Sequence, residues 1–212
     1  MKKYVLLSGA LAGLLFFATV YVLAPSVSGY SHVSDTVSEI GQTGSPVEQS
    51  YQVAMLIVDT FLVALGIALI SFARSRNAPI LPAVLVSYFG FVQLGLHIYP
   101  SPHSFHNIFG LALIFGYLAP LALAISWRKL GELRETVQVS WLVAVLIIVS
   151  IFLNISPLFT RDLYPLEYYG LVQRSSLLLI FGWFAYVGIW SFKQPSPSQS
   201  QRHSYDKTMS MD

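Results

Sequence analysis

The chain has 212 residues, of which 55% are hydrophobic and only 10% are charged, and its mean hydropathy is +0.63. Soluble domains average about 25% charged residues, so this composition excludes a water-soluble globular protein and indicates an integral membrane protein. The net charge of +2 is too small to indicate a nucleic-acid partner. We expect membrane lipids as partners, and the sequence identifies no protein partner. Cysteine is absent, which excludes disulfides, thiolate metal sites and a cysteine nucleophile.

Six apolar stretches follow one another, each close to the length of about 20 residues that crosses the hydrocarbon core as a helix. The predicted spans are Tyr4 to Ala24, Tyr51 to Ala73, Ile80 to Tyr99, Ser104 to Trp127, Thr136 to Ser156 and Tyr168 to Phe192. Continuous apolar runs such as Leu142 to Leu153 favour helices over the alternating strands of a barrel. We therefore predict an all-α, polytopic bundle of six transmembrane helices in residues 1–193, followed by a disordered, Ser-, Gln- and Pro-rich cytoplasmic tail, 194–212.

Lysines and arginines set the predicted orientation of these spans. Ten of them fall on one side of a six-span topology, and Arg161 alone occupies a loop on the other side. The ten are Lys2, Lys3, Arg74, Arg76, Arg128, Lys129, Arg134, Lys193, Arg202 and Lys207. By the positive-inside rule both termini are cytoplasmic, and we expect a prokaryotic plasma membrane.

The first span could also be a cleaved signal peptide, because two lysines precede it and small residues follow Ala24. Its apolar run is longer than the usual length of about 7 to 15 residues, which favours a retained helix.

Polar residues concentrate toward the side predicted to be extracytoplasmic. The long first loop, Pro25 to Ser50, lies there, and several polar side chains lie in the adjoining halves of the spans. These residues are His32, Asp35, Glu39, Glu48, Asp59, Gln93, His97, Asn154, Gln173 and Arg174. An ionised group in hydrocarbon costs at least about 2.5 kcal/mol, so Asp59 and Arg174 should face the bundle interior. We hypothesise an ion pair between them, which would either belong to a functional site or only tie the second span to the sixth.

Three of the five histidines lie at one hairpin, as His97, His103 and His106. Ser101 is predicted to cap the fourth helix, with Pro102 as its first residue. The three rings, with an oxygen donor from Asp35, Glu39 or Asp59, could hold zinc, although no compact metal motif is present. The alternative is that His103 is solvated and that His97 and His106 are interfacial groups.

Two other roles for these residues have less support in the sequence. Haem ligation by His97 and His106 lacks an attachment motif. A nucleophile pair of Ser34 or Ser38 with a histidine lacks a Gly-x-Ser-x-Gly elbow.

Four stretches carry a family resemblance: the loop from Pro25 to Pro46, Gly95-Leu-His-Ile-Tyr-Pro100, His106, and Gly170-Leu-Val-Gln-Arg174. Together they resemble the membrane family called domain of unknown function 998, over nearly the whole chain. The Ser-Glu-Ile-Gly loop and the His-led fourth helix also look distantly like the six-helix Frag/DRAM/Sfk membrane proteins.

The resemblance to domain of unknown function 998 implies an architecture and a set of positions, but no reaction. The implied positions are Ser34, Asp35, Ser38, Glu39, Gly41, Pro100, His106 and Arg174. The chain departs from the family at Gln173, where glutamate is common, and after Pro100, where Ser-Pro-His replaces an acidic residue. Both departures remove a carboxylate.

The favoured function is a polar extracytoplasmic pocket that binds a lipid headgroup or small ligand. Its expected lining is Ser34, Asp35, Ser38, Glu39, Asp59, Gln93, His97, His106 and Arg174. The first alternative is a metal-dependent hydrolase of lipid amides or esters, with His97, His103 and His106 as zinc ligands and Asp35 or Glu39 as base. The second alternative is a proton-coupled transporter, which ranks lower because the cytoplasmic half lacks embedded ionisable groups. The sequence leaves open whether the protein is an enzyme.

Overall fold

A computed structural model of the protein describes residues 3–160 and 162–195. Within these residues the regular secondary structure is all helical, and no strand forms. The α-helices are α1 (Ser8–Leu23), α2 (Val37–Ile40), α3 (Glu48–Ser75), α4 (Leu81–Ile98), α5 (Ser104–Tyr117), α6 (Ala119–Ser126), α7 (Arg134–Ile155) and α8 (Tyr169–Lys193). Short 3-10 turns occupy Lys3–Leu7, Ala24–Ser26, Gly131–Leu133, Ser156–Leu158 and Leu166–Tyr168.

The predicted six-span architecture is confirmed, because six helical stretches are long and apolar enough to cross a membrane. They run Lys3–Ser26, Glu48–Ser75, Leu81–Ile98, Ser104–Ser126, Gly131–Leu158 and Leu166–Lys193. The predicted disordered tail lies outside the described residues from position 196 onward, and so do Lys2, Arg161, Arg202 and Lys207.

Close helix packing holds the bundle together. Helix α3 packs against α1 and α4, α8 packs against α1 and α7, and small residues bring these backbones close. At Gly9 a Cβ atom would lie 2.5 Å from the carbonyl oxygen of Phe184, so α1 and α8 can meet this closely only without a side chain there.

The fourth span is broken, whereas the sequence predicts one continuous helix. Helix α5 ends at Tyr117 and α6 begins at Ala119, with Pro120 in its first turn. Proline lacks the N–H that would continue the hydrogen-bond ladder and its ring crowds the preceding turn. Helix α6 packs on both α4 and α7, but α5 packs mainly on α4. The break therefore leaves a gap between α5 and the α7–α8 pair.

The bundle has two ends of different character, which we call the loop end and the terminal end. The loop end consists of residues 27–47, 99–103 and 159–165 without 161. The terminal end consists of residues 76–80 and 127–133 with both described chain ends, and there Arg76 forms a 3.0 Å ion pair with Glu132. The described members of the basic set all belong to the terminal end or the adjoining helix turns. That the terminal end faces the cytoplasm stays a prediction.

Candidate ligand-binding site

Acidic residues in the first loop stabilise the loop itself. The Asp35 carboxylate accepts hydrogen bonds from the backbone N–H of Ser31 (2.8 Å) and the hydroxyl of Ser34 (2.7 Å). Thr36 and Glu39 form a capping box at the start of α2, in which Glu39 Oε1 accepts from the Thr36 hydroxyl at 2.8 Å. The Ser/Thr-x-x-Glu spacing produces this arrangement locally, because the two residues satisfy each other's free N–H groups.

Arg174 joins this loop to α8 and does not pair with Asp59. Its guanidinium donates to the carbonyl oxygens of Asp35 (2.8 Å) and Gly170 (2.9 Å) and to the hydroxyl of Tyr30. The hypothesis of an Asp59–Arg174 ion pair is therefore wrong. Arg174 lies one turn inside α8, beneath the loop, where two carbonyl oxygens and a hydroxyl group, rather than a carboxylate, accept hydrogen bonds from its guanidinium.

The start of α8 lies directly against the loop. A Cβ atom at Gly170 would come within 2.6 to 2.8 Å of three loop carbonyl oxygens, so only glycine permits this contact. The N–H of Leu171 donates to the Val33 carbonyl at 3.1 Å, and Gln173 Oε1 accepts from the N–H of Val37 at 2.8 Å. The loop therefore contacts α8 at Gly170, Leu171 and Gln173.

The charge of Arg174 also affects ionisation in this loop. Burial and then the Arg174 charge lower the pKa of the His32 imidazole below its ordinary value of 6.5. Burial raises the pKa of the Tyr30 hydroxyl, and Arg174 opposes that rise. The loop is therefore most stable with His32 uncharged.

Asp59 and His97 form a buried pair between α3 and α4. Asp59 Oδ2 and His97 Nδ1 are 2.7 Å apart, and the two side chains are 0% and 8% exposed. The second carboxylate oxygen, Asp59 Oδ1, has no hydrogen-bond partner among the described residues. The helices come this close because Gly90 has no side chain. A Cβ atom there would lie only 2.9 Å from the backbone nitrogen of Val63. The carboxylate orients the imidazole and leaves Nε2 as the ring nitrogen directed away from Asp59.

The three hairpin histidines make contacts with different partners. His97 binds Asp59, His106 Nδ1 lies 3.0 Å from the Tyr99 carbonyl oxygen, and His103 Nδ1 accepts from the N–H of Phe105 at 3.2 Å. Across residues 3–160 and 162–195, no group of three or more His, Asp or Glu side chains is arranged to hold a metal ion. Zinc binding by His97, His103 and His106 stays a prediction.

The predicted cap and first residue of the fourth helix are wrong by two residues. The helix begins at Ser104, and the His103 ring, not the Ser101 hydroxyl, provides the cap. Ser101 and Pro102 belong to the preceding turn, in which the His103 N–H donates to the Pro100 carbonyl at 2.9 Å. The Ser101 carbonyl instead accepts from the N–H of Thr43 at 2.8 Å, which links this turn to the first loop.

A cavity of about 240 Å³, which we call the lateral cavity, lies between α5 and the other helices at the loop end. Side chains from α2, α3, α4, α7 and α8 face α5 across it. Its apolar wall includes Leu111 and Ile114 of α5 and Ile151 of α7. Its polar lining includes Ser38, Gln52, Gln93, His97, Asn154 and Gln173.

The predicted site residues divide into two groups. Ser38, Gln93, His97 and His106 line the lateral cavity, whereas Ser34, Asp35, Glu39, Asp59, His103 and Arg174 are outside its lining. Three of this second group, Ser34, Asp35 and Glu39, belong to the loop, and Arg174 ties that loop to α8. Asp59 contacts His97.

Gln52, Asn154 and Gln173 also line the cavity but were not among the predicted site residues. Gln52 could have been found from its spacing, since it precedes Asp59 by seven residues and so shares its helix face. Asn154 donates to the Ser176 hydroxyl at 2.6 Å, a contact between α7 and α8 that sequence spacing does not reveal.

A family model described as "Protein of unknown function (DUF998)" matches residues 10–190. The chain belongs to the DUF998 family. The match begins in α1 and ends in α8, so the DUF998 region includes the loop end and the whole lining of the lateral cavity. This confirms the resemblance noted from the sequence, whereas the likeness to Frag/DRAM/Sfk proteins stays a prediction. No curated protein and no solved structure matches the chain.

Proposed function

We propose that this DUF998 protein binds a membrane lipid by its headgroup, which reaches the lateral cavity from the bilayer through the gap between α5 and α7. The observation that carries the proposal is a cavity with polar groups at the loop end and an apolar wall formed by a displaced helix. Convergent polar groups in a mostly apolar concave site are typical of ligand sites.

The size of the cavity supports binding of a headgroup rather than of a whole lipid. Pockets that enclose a drug-sized ligand are about 300–1,000 Å³, which exceeds the 240 Å³ found here. The acyl chains would therefore stay in the bilayer while the headgroup occupies the cavity. Leu111 supports this access route, because it lines the cavity and is also 60% exposed on the outer surface of α5.

The test is capture of a photoreactive lipid by the purified protein in lipid nanodiscs. Gly110 and Ile114 line the cavity from α5, and a Cβ at Gly110 meets open space. Gly110→Phe and Ile114→Trp should fill the cavity and reduce crosslinking at least tenfold. Gly182→Phe is the matched control, because Gly182 also faces open space but lies outside the cavity lining. Wild-type crosslinking in both cavity variants would refute the proposal.

The Asp59–His97 pair favours a second candidate, hydrolysis of a lipid ester or amide. A carboxylate that fixes Nδ1 prepares Nε2 either to take a proton from an attacking water or to bind a metal ion. The test is hydrolysis of a monoacylglycerol ester or a fatty amide by purified protein, with metal content measured on the same sample prepared without chelators. His97→Ala should abolish turnover, and absence of turnover in the wild type rejects this candidate. Less than about a tenth of an equivalent of transition metal would reject its metal-dependent form, because such sites hold their ion tightly.

A further inference from the structure

We propose that the lateral cavity selects lipids whose headgroup is uncharged and carries two or more hydroxyl groups, such as a glycerol or a sugar. This inference rests on the proposed function, because it names the class of lipid that the same cavity would take. Three features of the cavity support it: the charge of its lining, the unpartnered amide atoms of two lining residues and the spread of its polar groups.

The lining of the lateral cavity contains no Lys, Arg, Asp or Glu among the described residues. Arg174 directs its guanidinium at the carbonyl oxygens of Asp35 and Gly170, and Asp59 lies behind His97. A phosphate would therefore lose its hydration without meeting a lysine or arginine in the lining, which is unfavourable in a site of low dielectric. The lining thus disfavours an anionic headgroup.

Two buried amide side chains in the lining have an unused hydrogen-bonding atom. Gln93 is only 4% exposed, and its Nε2 has no partner among the described residues. Gln52 donates from Nε2 to the Gly41 carbonyl at 3.1 Å, while its Oε1 has no partner there. Leaving such groups unpaired is unfavourable, so the natural occupant supplies an acceptor to Gln93 and a donor to Gln52. A hydroxyl group can play both roles.

These two atoms belong to different levels of the bundle. Gln52 lies one turn from the loop end of α3, whereas Gln93 lies one turn deeper than His97 on α4. Asn154 and Gln173 line the cavity from α7 and α8. A headgroup with a single hydroxyl cannot serve a set of amides spread in this way, whereas a glycerol or sugar presents several hydroxyls at once.

The experiment measures affinities of three lipids with the same acyl chain for purified protein in nanodiscs, by competition against the photoreactive probe. They are a monoacylglycerol, the corresponding lysophosphatidic acid, which adds a phosphate, and the fatty acid methyl ester, which has no hydroxyl. Monoacylglycerol should bind at least tenfold more tightly than either of the others. Gln93→Leu should reduce monoacylglycerol affinity about tenfold, which corresponds to about 1.4 kcal/mol, and should leave methyl ester affinity unchanged. Ser87→Ala is the matched control on α4, because Ser87 is outside the cavity lining.

The outcomes separate this inference from the proposed function. If lysophosphatidic acid or the methyl ester binds as tightly as monoacylglycerol and Gly110→Phe still blocks capture, the cavity binds lipid but the headgroup class is wrong. If Gly110→Phe and Ile114→Trp leave capture unchanged, both proposals fail. The comparison of the three lipids uses the wild-type protein, so it stands even if Gln93→Leu fails to fold.

Discussion

Gly170→Ala should separate the first loop from α8. The added Cβ would lie 2.6 Å from the Asp35 carbonyl oxygen and 2.8 Å from those of His32 and Val33. Ordinary contact begins at 3.4 Å, so the loop must retreat by the difference, 0.6 to 0.8 Å. Backbone carbonyls cannot rotate away as a flexible side chain does, so the whole loop segment has to move.

The cost follows from the contacts that this movement strains. Overpacking of this kind destabilises by about 1–3 kcal/mol. The hydrogen bond from Leu171 to Val33, already 3.1 Å long, would be lost as well, at about 1 kcal/mol. We therefore expect Gly170→Ala to lower the free energy of unfolding by about 2–4 kcal/mol.

Gly182→Ala provides the matched control in the same helix. A Cβ at Gly182 meets no atom within 4 Å, so alanine should stabilise α8 by about 0.5–1 kcal/mol. Unfolding of both variants in detergent micelles can be followed by fluorescence of the four tryptophans, with limited proteolysis of the loop in parallel. Equal stability of the two variants, or an unchanged rate of loop cleavage in Gly170→Ala, would refute the reasoning.

Three further predictions concern the loop and the ends of the bundle. Arg174→Gln should destabilise by at least about 3 kcal/mol, because its two charge-assisted bonds to carbonyl oxygens are worth about 1.5 kcal/mol each. Its effect should add to that of Asp59→Asn, because the two groups share no contact, and a coupling above about 0.5 kcal/mol would restore the ion pair. The pKa of His32 is below 6.5 in the fold, so its contribution to stability is complete above pH 6.5 and declines as the pH falls below that value. His32→Gln should therefore flatten the dependence of stability on pH below 6.5. An unchanged dependence in this variant would contradict the prediction. The chain has no cysteine, so single-cysteine variants at Thr43 and Gly131, both exposed, can report orientation in intact cells. A membrane-impermeant maleimide should label position 43 alone, and labelling of position 131 alone would reverse the predicted topology.

The roles of individual polar residues show how far sequence reasoning reaches. The Ser/Thr-x-x-Glu spacing at Thr36 and Glu39 specifies a capping box from the local sequence. The polarity of Glu39 alone led instead to the prediction that it lines a pocket. His97 was expected either in a ligand pocket or at the membrane interface, and its partner Asp59 lies on another helix, 38 positions away. Choosing between His97 and Arg174 as the partner of Asp59 depends on how α3, α4 and α8 are rotated about their axes, which spacing within one helix does not specify.

Sequence alone determined the number and position of the spans, because the hydrocarbon core requires apolar helical stretches of a particular length and forbids open strands. It also determined that polar groups concentrate at one end of the bundle. Only the tertiary structure decided which of them meet. Gly90 and Gly170 allow approaches between elements distant in the chain, and the break before Pro120 displaces α5 from α7. The lateral cavity exists because of these approaches and this displacement, which depend on several helices packed at once.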